Sequence, residues 1–160
     1  DNLMLHKAVD MFRPGDVLVV DTGGDRSRAV IGGLMGRRAQ SMGLAGLVVD
    51  GLVRDIQDLR SLGLGVWARG VTPAGPYKNG PGEIGFPVSI GGIPINAGDL
   101  IVADDDGVIC VRYEDMSEVL SAAQAVVTRE SNTLEGLKKG VTPDRTWVDS
   151  TLECKGCEWC

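Results

Sequence analysis

Histidine is almost missing from this chain: 160 residues carry one, His6. A site needing two imidazoles is excluded, and a Ser–His–Asp relay is a poor fit. His6 falls on an amphipathic segment, Asn2 to Phe12, that reads as a helix, where it packs or is solvated rather than catalysing. Positive charge is also in deficit. Sixteen Lys and Arg stand against 22 Asp and Glu, a net charge of -6, with the cations dispersed. Such a balance does not suit direct binding to nucleic acid. No apolar run approaches the ~20 residues of a membrane span. No charged segment followed by an apolar one opens the chain, so the expectation is a cytoplasmic protein. Cysteine is sparse as well. Cys110 lies in the apolar run Val108-Ile-Cys-Val111 and reads as a buried thiol. Cys154, Cys157 and Cys160 form C-x2-C-x2-C near the end of the chain. Zinc or iron–sulfur ligation asks for a fourth ligand that is not nearby, so a reduced, partly ordered tail is the expectation.

Glycine, by contrast, is abundant at 23 residues while aromatics are only 4%. That combination indicates tight turns and close backbone approaches rather than disorder. The length suits one domain with a real core. The central stretch is Gly43 to Asp58. Leu47-Val48-Val49 is a β-branched apolar run read as a buried strand, with Asp50-Gly51 as the turn that closes it. Arg54 and Asp55 follow directly, and Ile56, Leu59 and Leu62 continue at helical spacing. A cation and an anion where a strand hands over to a helix suit chemistry, since ligands in α/β proteins collect beyond strand carboxyl ends. The same two residues also suit a surface ion pair.

Around this stretch, Val17–Val20 reads as a second buried strand. Residues 27–33 read as a loop leading into a helix whose first turn holds Leu34 and Met35. Gly32-Gly33 is costly inside a helix, about 1 kcal/mol per Gly against Ala. At a helix start its free N–H groups and positive dipole end would suit a carboxylate or phosphate; alternatively the glycines let two elements pack closely. Gly65–Arg69 reads as a third strand, and Gly70–Glu83 as a long loop. Pro87–Ile90 with Ile93–Ile95, and Leu100–Ala103 with Val108–Val111, read as hairpins. Asp104-Asp105-Asp106-Gly107 lacks the spaced ligands of a calcium loop and reads as a turn. Glu114–Lys139 reads as a long amphipathic helix stopped by Gly140. The expected architecture is α/β with a mixed sheet and a long C-terminal helix: a domain over 1–140 and a tail over 141–160.

Gly15-Asp-Val-Leu-Val-Val-Asp21, Gly32-Gly-Leu-Met35, Gly43 to Asp55, Ala68-Arg-Gly-Val-Thr-Pro73 and Gly98 to Val108 together resemble the RraA-like family, in order and over roughly residues 1–140. That family holds 4-hydroxy-4-methyl-2-oxoglutarate aldolases, which also decarboxylate oxaloacetate, and protein inhibitors of ribonuclease E. The resemblance implies a swivelling-type β/β/α domain assembled as a homotrimer or hexamer. It implies that Arg54 contacts a small 2-keto acid substrate and Asp55 holds a divalent cation, usually Mg²⁺. It implies that the backbone of Gly32, Gly33, Leu34 and Met35 cradles the pyruvyl carboxylate, and that Asp58 matches a further acidic position. The aldolase pattern carries an acid where this chain has Gly33, and a further N-terminal segment that adds acidic groups; this chain begins after it. The expected function is a metal-dependent C–C lyase acting through a pyruvate enolate. The alternative is a non-enzymatic, protein-binding regulator of ribonuclease activity. Asp55 favours the enzyme, because the inhibitor branch generally lacks an acid after the Arg.

Overall fold

A computed structural model describes residues 1–158; Cys160, the last of the three C-terminal cysteines, lies outside them. The chain divides into two units, one over 1–113 and one from Glu114 onward.

The first unit is built on β3, Gly46–Val53, whose eight residues are all buried. Such a strand needs neighbours on both edges. One edge is covered by β1, Val17–Asp21, along residues 46–50, and then by β2, Ala29–Ile31, at residues 52–53. The other edge is covered by β4, Gly65–Val71. All these pairings are parallel. Crossovers therefore carry helices: α2, Gly33–Ser41, leads from β2 to β3, and α3, Ile56–Ser61, leads from β3 to β4. With α1, Leu3–Val9, they bury Val9, Met35, Ala39, Leu59 and Leu62 against Leu18, Ile31, Leu47 and Val53. Two antiparallel hairpins complete the unit: β5, Val88–Ile90, with β6, Ile93–Ile95; and β7, Leu100–Ala103, with β8, Val108–Val111.

The second unit holds α4, Met116–Lys138, and α5, Thr146–Cys154. α4 ends at Gly140, whose φ of 76° suits the residue. The fold is the mixed α/β architecture with a long C-terminal helix that the sequence indicates. Among the described residues, no helix is long and apolar enough to cross a membrane.

Several local expectations are corrected. Asp50-Gly51 is no turn but the middle of β3. Asp50 is buried and pairs with Arg69 of β4, and a Cβ on residue 51 would sit 2.6 Å from Thr22 Oγ1. The supposed loop before α2 contains β2. α1 stops at Val9 instead of running to Phe12, the chain tightening there through Asp10 N–H to Lys7 O and Met11 N–H to Ala8 O. His6 on α1 is exposed, as a solvated histidine would be. Cys110 is half-buried rather than buried; desolvation, then the nearby Asp99, raises its pKa and keeps it a thiol. The C-terminal tail contains α5, with Cys154 and Cys157 exposed and free.

Candidate active site

Parallel pairing brings three strand ends together. Ile31 of β2 aligns with Val53 of β3, and Val53 aligns with Val71 of β4. Residues 32–33, 54–55 and 72 onward thus leave the sheet side by side at its carboxyl edge, where α/β proteins place ligands. Arg54 N–H donates to Ile31 O at 2.9 Å and Thr72 N–H to Val53 O at 3.1 Å, sealing the three exits.

Asp55 is the one non-glycine residue with positive φ among the described residues, at φ 57° and ψ 46°. A left-handed aspartate costs on the order of 1–3 kcal/mol and persists where surroundings hold it. Asp55 stands at the N-cap of α3 yet makes no side-chain cap bond there. Its carboxylate turns to α2 instead, where Oδ2 accepts the Gly33 N–H at 2.9 Å. The same oxygen lies 3.6 Å from Arg54 Nε, and both side chains are about two-fifths exposed. An ordinary surface ion pair does not need a strained backbone, so the geometry favours a site.

Both glycines are required by close approach. A Cβ on residue 32 would meet Asp55 Oδ2 at 2.6 Å and Arg54 Cγ and Nε at 2.9 Å. A Cβ on residue 33 would meet Asp58 Oδ2 at 2.8 Å. The first turn of α2 therefore opens onto Arg54, Asp55 and Asp58. The Gly33 N–H is occupied by Asp55, so the helix geometry leaves the Leu34 and Met35 N–H groups without intrahelical partners. Leu34 exposes its side chain and Met35 buries its own. The cradle expected of Gly32, Gly33, Leu34 and Met35 thus has one donor already bound to Asp55.

Two neighbours lie outside what the sequence pattern suggested. Arg37, one turn along α2, pairs with Asp58 at 3.4 Å, both half-exposed, an arrangement that contributes little by itself. Gly75 closes the other side: a Cβ there would lie 2.8 Å from Arg54 Nη1. No local signal marks either residue, because Arg37 meets the site through α3, distant in sequence, and Gly75 through the loop that follows β4.

Among the described residues, no three His, Cys, Asp or Glu side chains converge. A lone carboxylate still fits Mg²⁺, which keeps waters and accepts substrate oxygens. The bare Cα of Gly32 is what lets Asp55 Oδ2 and Arg54 approach the start of α2 so closely. A cavity of about 850 Å³ opens elsewhere, among α1, β1, the 81–86 loop and the hairpins, and includes none of these residues. Volume and chemistry point to different places, and the convergent cation, carboxylate and helix start decide for the strand ends.

A family model described as RraA-like, Aldolase/RraA, matches residues 1–110. The chain belongs to the RraA-like family. A Halalkalibacterium halodurans relative, provisionally named a 4-hydroxy-4-methyl-2-oxoglutarate aldolase, is 44% identical over 95% of this chain and 72% of its own length. The 4-hydroxy-4-methyl-2-oxoglutarate aldolase of Thermus thermophilus is 38% identical over 68% of this chain and 66% of its own. The solved structure of Streptomyces coelicolor RraAS2, described as an unusual member of the RNase ES inhibitor RraA protein family, superposes with a TM-score of 0.77 at 34% identity. That match covers 82% of this chain and 67% of that one. RraA-like proteins thus carry both an enzyme name and a regulator name.

Proposed function

We propose that this chain is a divalent-metal-dependent aldolase of short 2-keto acids, with oxaloacetate decarboxylation as its second reaction, working as a homo-oligomer. The observation that carries the reading is the left-handed Asp55, aimed away from its own helix at the start of α2 and beside Arg54.

The substrate's 2-keto carboxylate lies at the start of α2, where the Leu34 and Met35 N–H groups and the helix dipole favour an anion. Arg54 donates to the carboxylate or keto oxygen from the opposite side. In 4-hydroxy-4-methyl-2-oxoglutarate the C3–C4 bond breaks as a base removes the C4 hydroxyl proton. The electron pair moves into C2–C3, charge gathers on the C2 oxygen, and one pyruvate leaves. Protonation of C3 turns the remaining enolate into the second pyruvate. In oxaloacetate the same bond breaks with loss of carbon dioxide, and no hydroxyl base is needed. Arg54 is more useful as the oxygen gains charge than before, which is how it lowers the barrier. A divalent cation held by Asp55 would supply Lewis acidity at the keto oxygen.

The alternative, a protein-binding regulator of ribonuclease activity, draws on the likeness to RraAS2. A regulator has no need for a strained aspartate facing an arginine at strand ends. The test is pyruvate release from both substrates, with Mg²⁺ and with chelator. Metal-dependent release from either one is expected; none from both substrates overturns the reading.

A further inference from the structure

We infer that Arg28 is a positioning residue for Arg54, acting through the loop of residues 72–77; the inference rests on Arg54 binding substrate as proposed above. Arg28 precedes β2 and is half-buried. Its Nη1 donates to Gly75 O at 2.6 Å and its Nη2 to Tyr77 Oη at 2.7 Å. Its guanidinium carbon also sits 4.0 Å from the centre of the Tyr77 ring. One planar fork therefore holds the loop at two points with a fixed spacing, which a compact ammonium reproduces only in part.

The loop it holds is the wall behind Arg54, because Gly75 has no side chain and Arg54 Nη1 fills that space. The Gly75 carbonyl takes its bond from Arg28, which fixes residue 75 beside Arg54 Nη1. Without Arg28, residue 75 is held by the loop's backbone alone, and the Arg54 guanidinium loses the fixed wall that keeps it aimed at the α2 start. The backbone anchors of the loop, Ala29 N–H to Ala74 O and Asn2 N–H to Tyr77 O, do not depend on Arg28. Removing the guanidinium should therefore loosen the wall without unfolding it.

The experiment has two arms. The first needs no activity: the Arg54 Nε–H resonance, assigned with Arg54→Lys, is compared in wild type, Arg28→Gln and Tyr77→Phe. A clear shift is expected in Arg28→Gln and a smaller one in Tyr77→Phe; unmoved resonances overturn the inference. The second arm is a double-mutant cycle on kcat/KM for pyruvate release. Arg28→Gln should cost about tenfold to a hundredfold, the scale of a small misplacement at a reacting centre. Arg28→Lys should recover only part of it. In an Arg54→Lys background the same Arg28 change should cost little. Full additivity would assign Arg28 a merely structural role and overturn the inference. If the resonance moves but wild type releases no pyruvate from either substrate, the link to Arg54 stands and the aldolase reading falls.

Discussion

Asp55 does two jobs with one carboxylate, and substitutions separate them. Asn tolerates the left-handed backbone and keeps an oxygen for the Gly33 N–H, but it carries no charge. Asp55→Asn should therefore keep the melting temperature within a few degrees and lose at least about a hundredfold in metal-dependent kcat/KM, the scale of one lost electrostatic group. Asp55→Ala loses the charge, the hydrogen bond and the aspartate's ease in this conformation. It should lose about 1–2 kcal/mol of stability as well. Chemical denaturation and the pyruvate assay separate the two, and wild-type activity in Asp55→Asn would remove the cation from Asp55. Gly33 makes a second residue-scale case. The aldolase pattern places an acid there, but in this chain the Asp58 carboxylate stands 2.8 Å from where its Cβ would be. Gly33→Asp alone should crowd two carboxylates and lower the melting temperature without a gain in aldol cleavage. Gly33→Asp with Asp58→Gly should recover stability. A selective rise in aldolase rate in the single variant would show that Asp58 moves aside freely.

The elements differ in how plainly the sequence announces them. The two hairpins are legible because Gly91-Gly92 and Gly107 supply positive φ at their turns, with short apolar strands on either side. The start of α2 is legible because glycines do not belong inside a helix. β3 was half legible: Leu47–Val49 is an evident strand, but Asp50-Gly51 looks locally like its end. What keeps the strand going is Arg69, nineteen positions on, which neutralises Asp50, and Thr22, which fills the space over Gly51. β2 is three residues long and surrounded by Ser and Gly, so only its pairing with β3 makes it a strand. For the same reason the site was legible as residue types, Arg54 and Asp55, but its Gly75 and Arg28 wall was not. The hairpins also carry a pH-dependent tie. Asp99 accepts backbone N–H bonds from Asn96 at 2.8 Å and Tyr113 at 3.1 Å, clasping the approach to β7 onto the end of β8. Those bonds, Asn96 first, lower its pKa below the ordinary 3.8. A carboxyl lowered on folding adds stability that is present above pH 3.8 and is lost as pH falls through the lowered value. Asp99→Ala should melt earlier than wild type at pH 7, and the gap should close in acid below pH 3.8. A gap independent of pH would mean the clasp is not electrostatic.

On the scale of the whole molecule, the first unit leaves apolar surface where a lone chain gains nothing from it. Ile93, Leu100, Val102 and Ile109 are all 43–59% exposed, and all lie on the two hairpins. Single exposed apolar residues are ordinary, but these sit on two-stranded sheets that are marginal alone and have open edges. Self-association would cover them, and the family resemblance implies a trimer. A ring of three uses a heterologous interface, one patch on each chain meeting a different patch on the next. Two hairpins can supply two such patches, and this gives a test stricter than mass alone. Light scattering of the wild type at micromolar concentration should give three chain masses, or six if rings stack. Ile93→Asp and Ile109→Asp should each lower that mass, because each breaks one side of every contact. Mixed in equal amounts, the two variants should form dimers, since each keeps the patch the other has lost. Broken variants that stay monomeric when mixed would place both hairpins in one self-complementary interface. A monomeric wild type would leave the hairpin surface without a partner of its own kind.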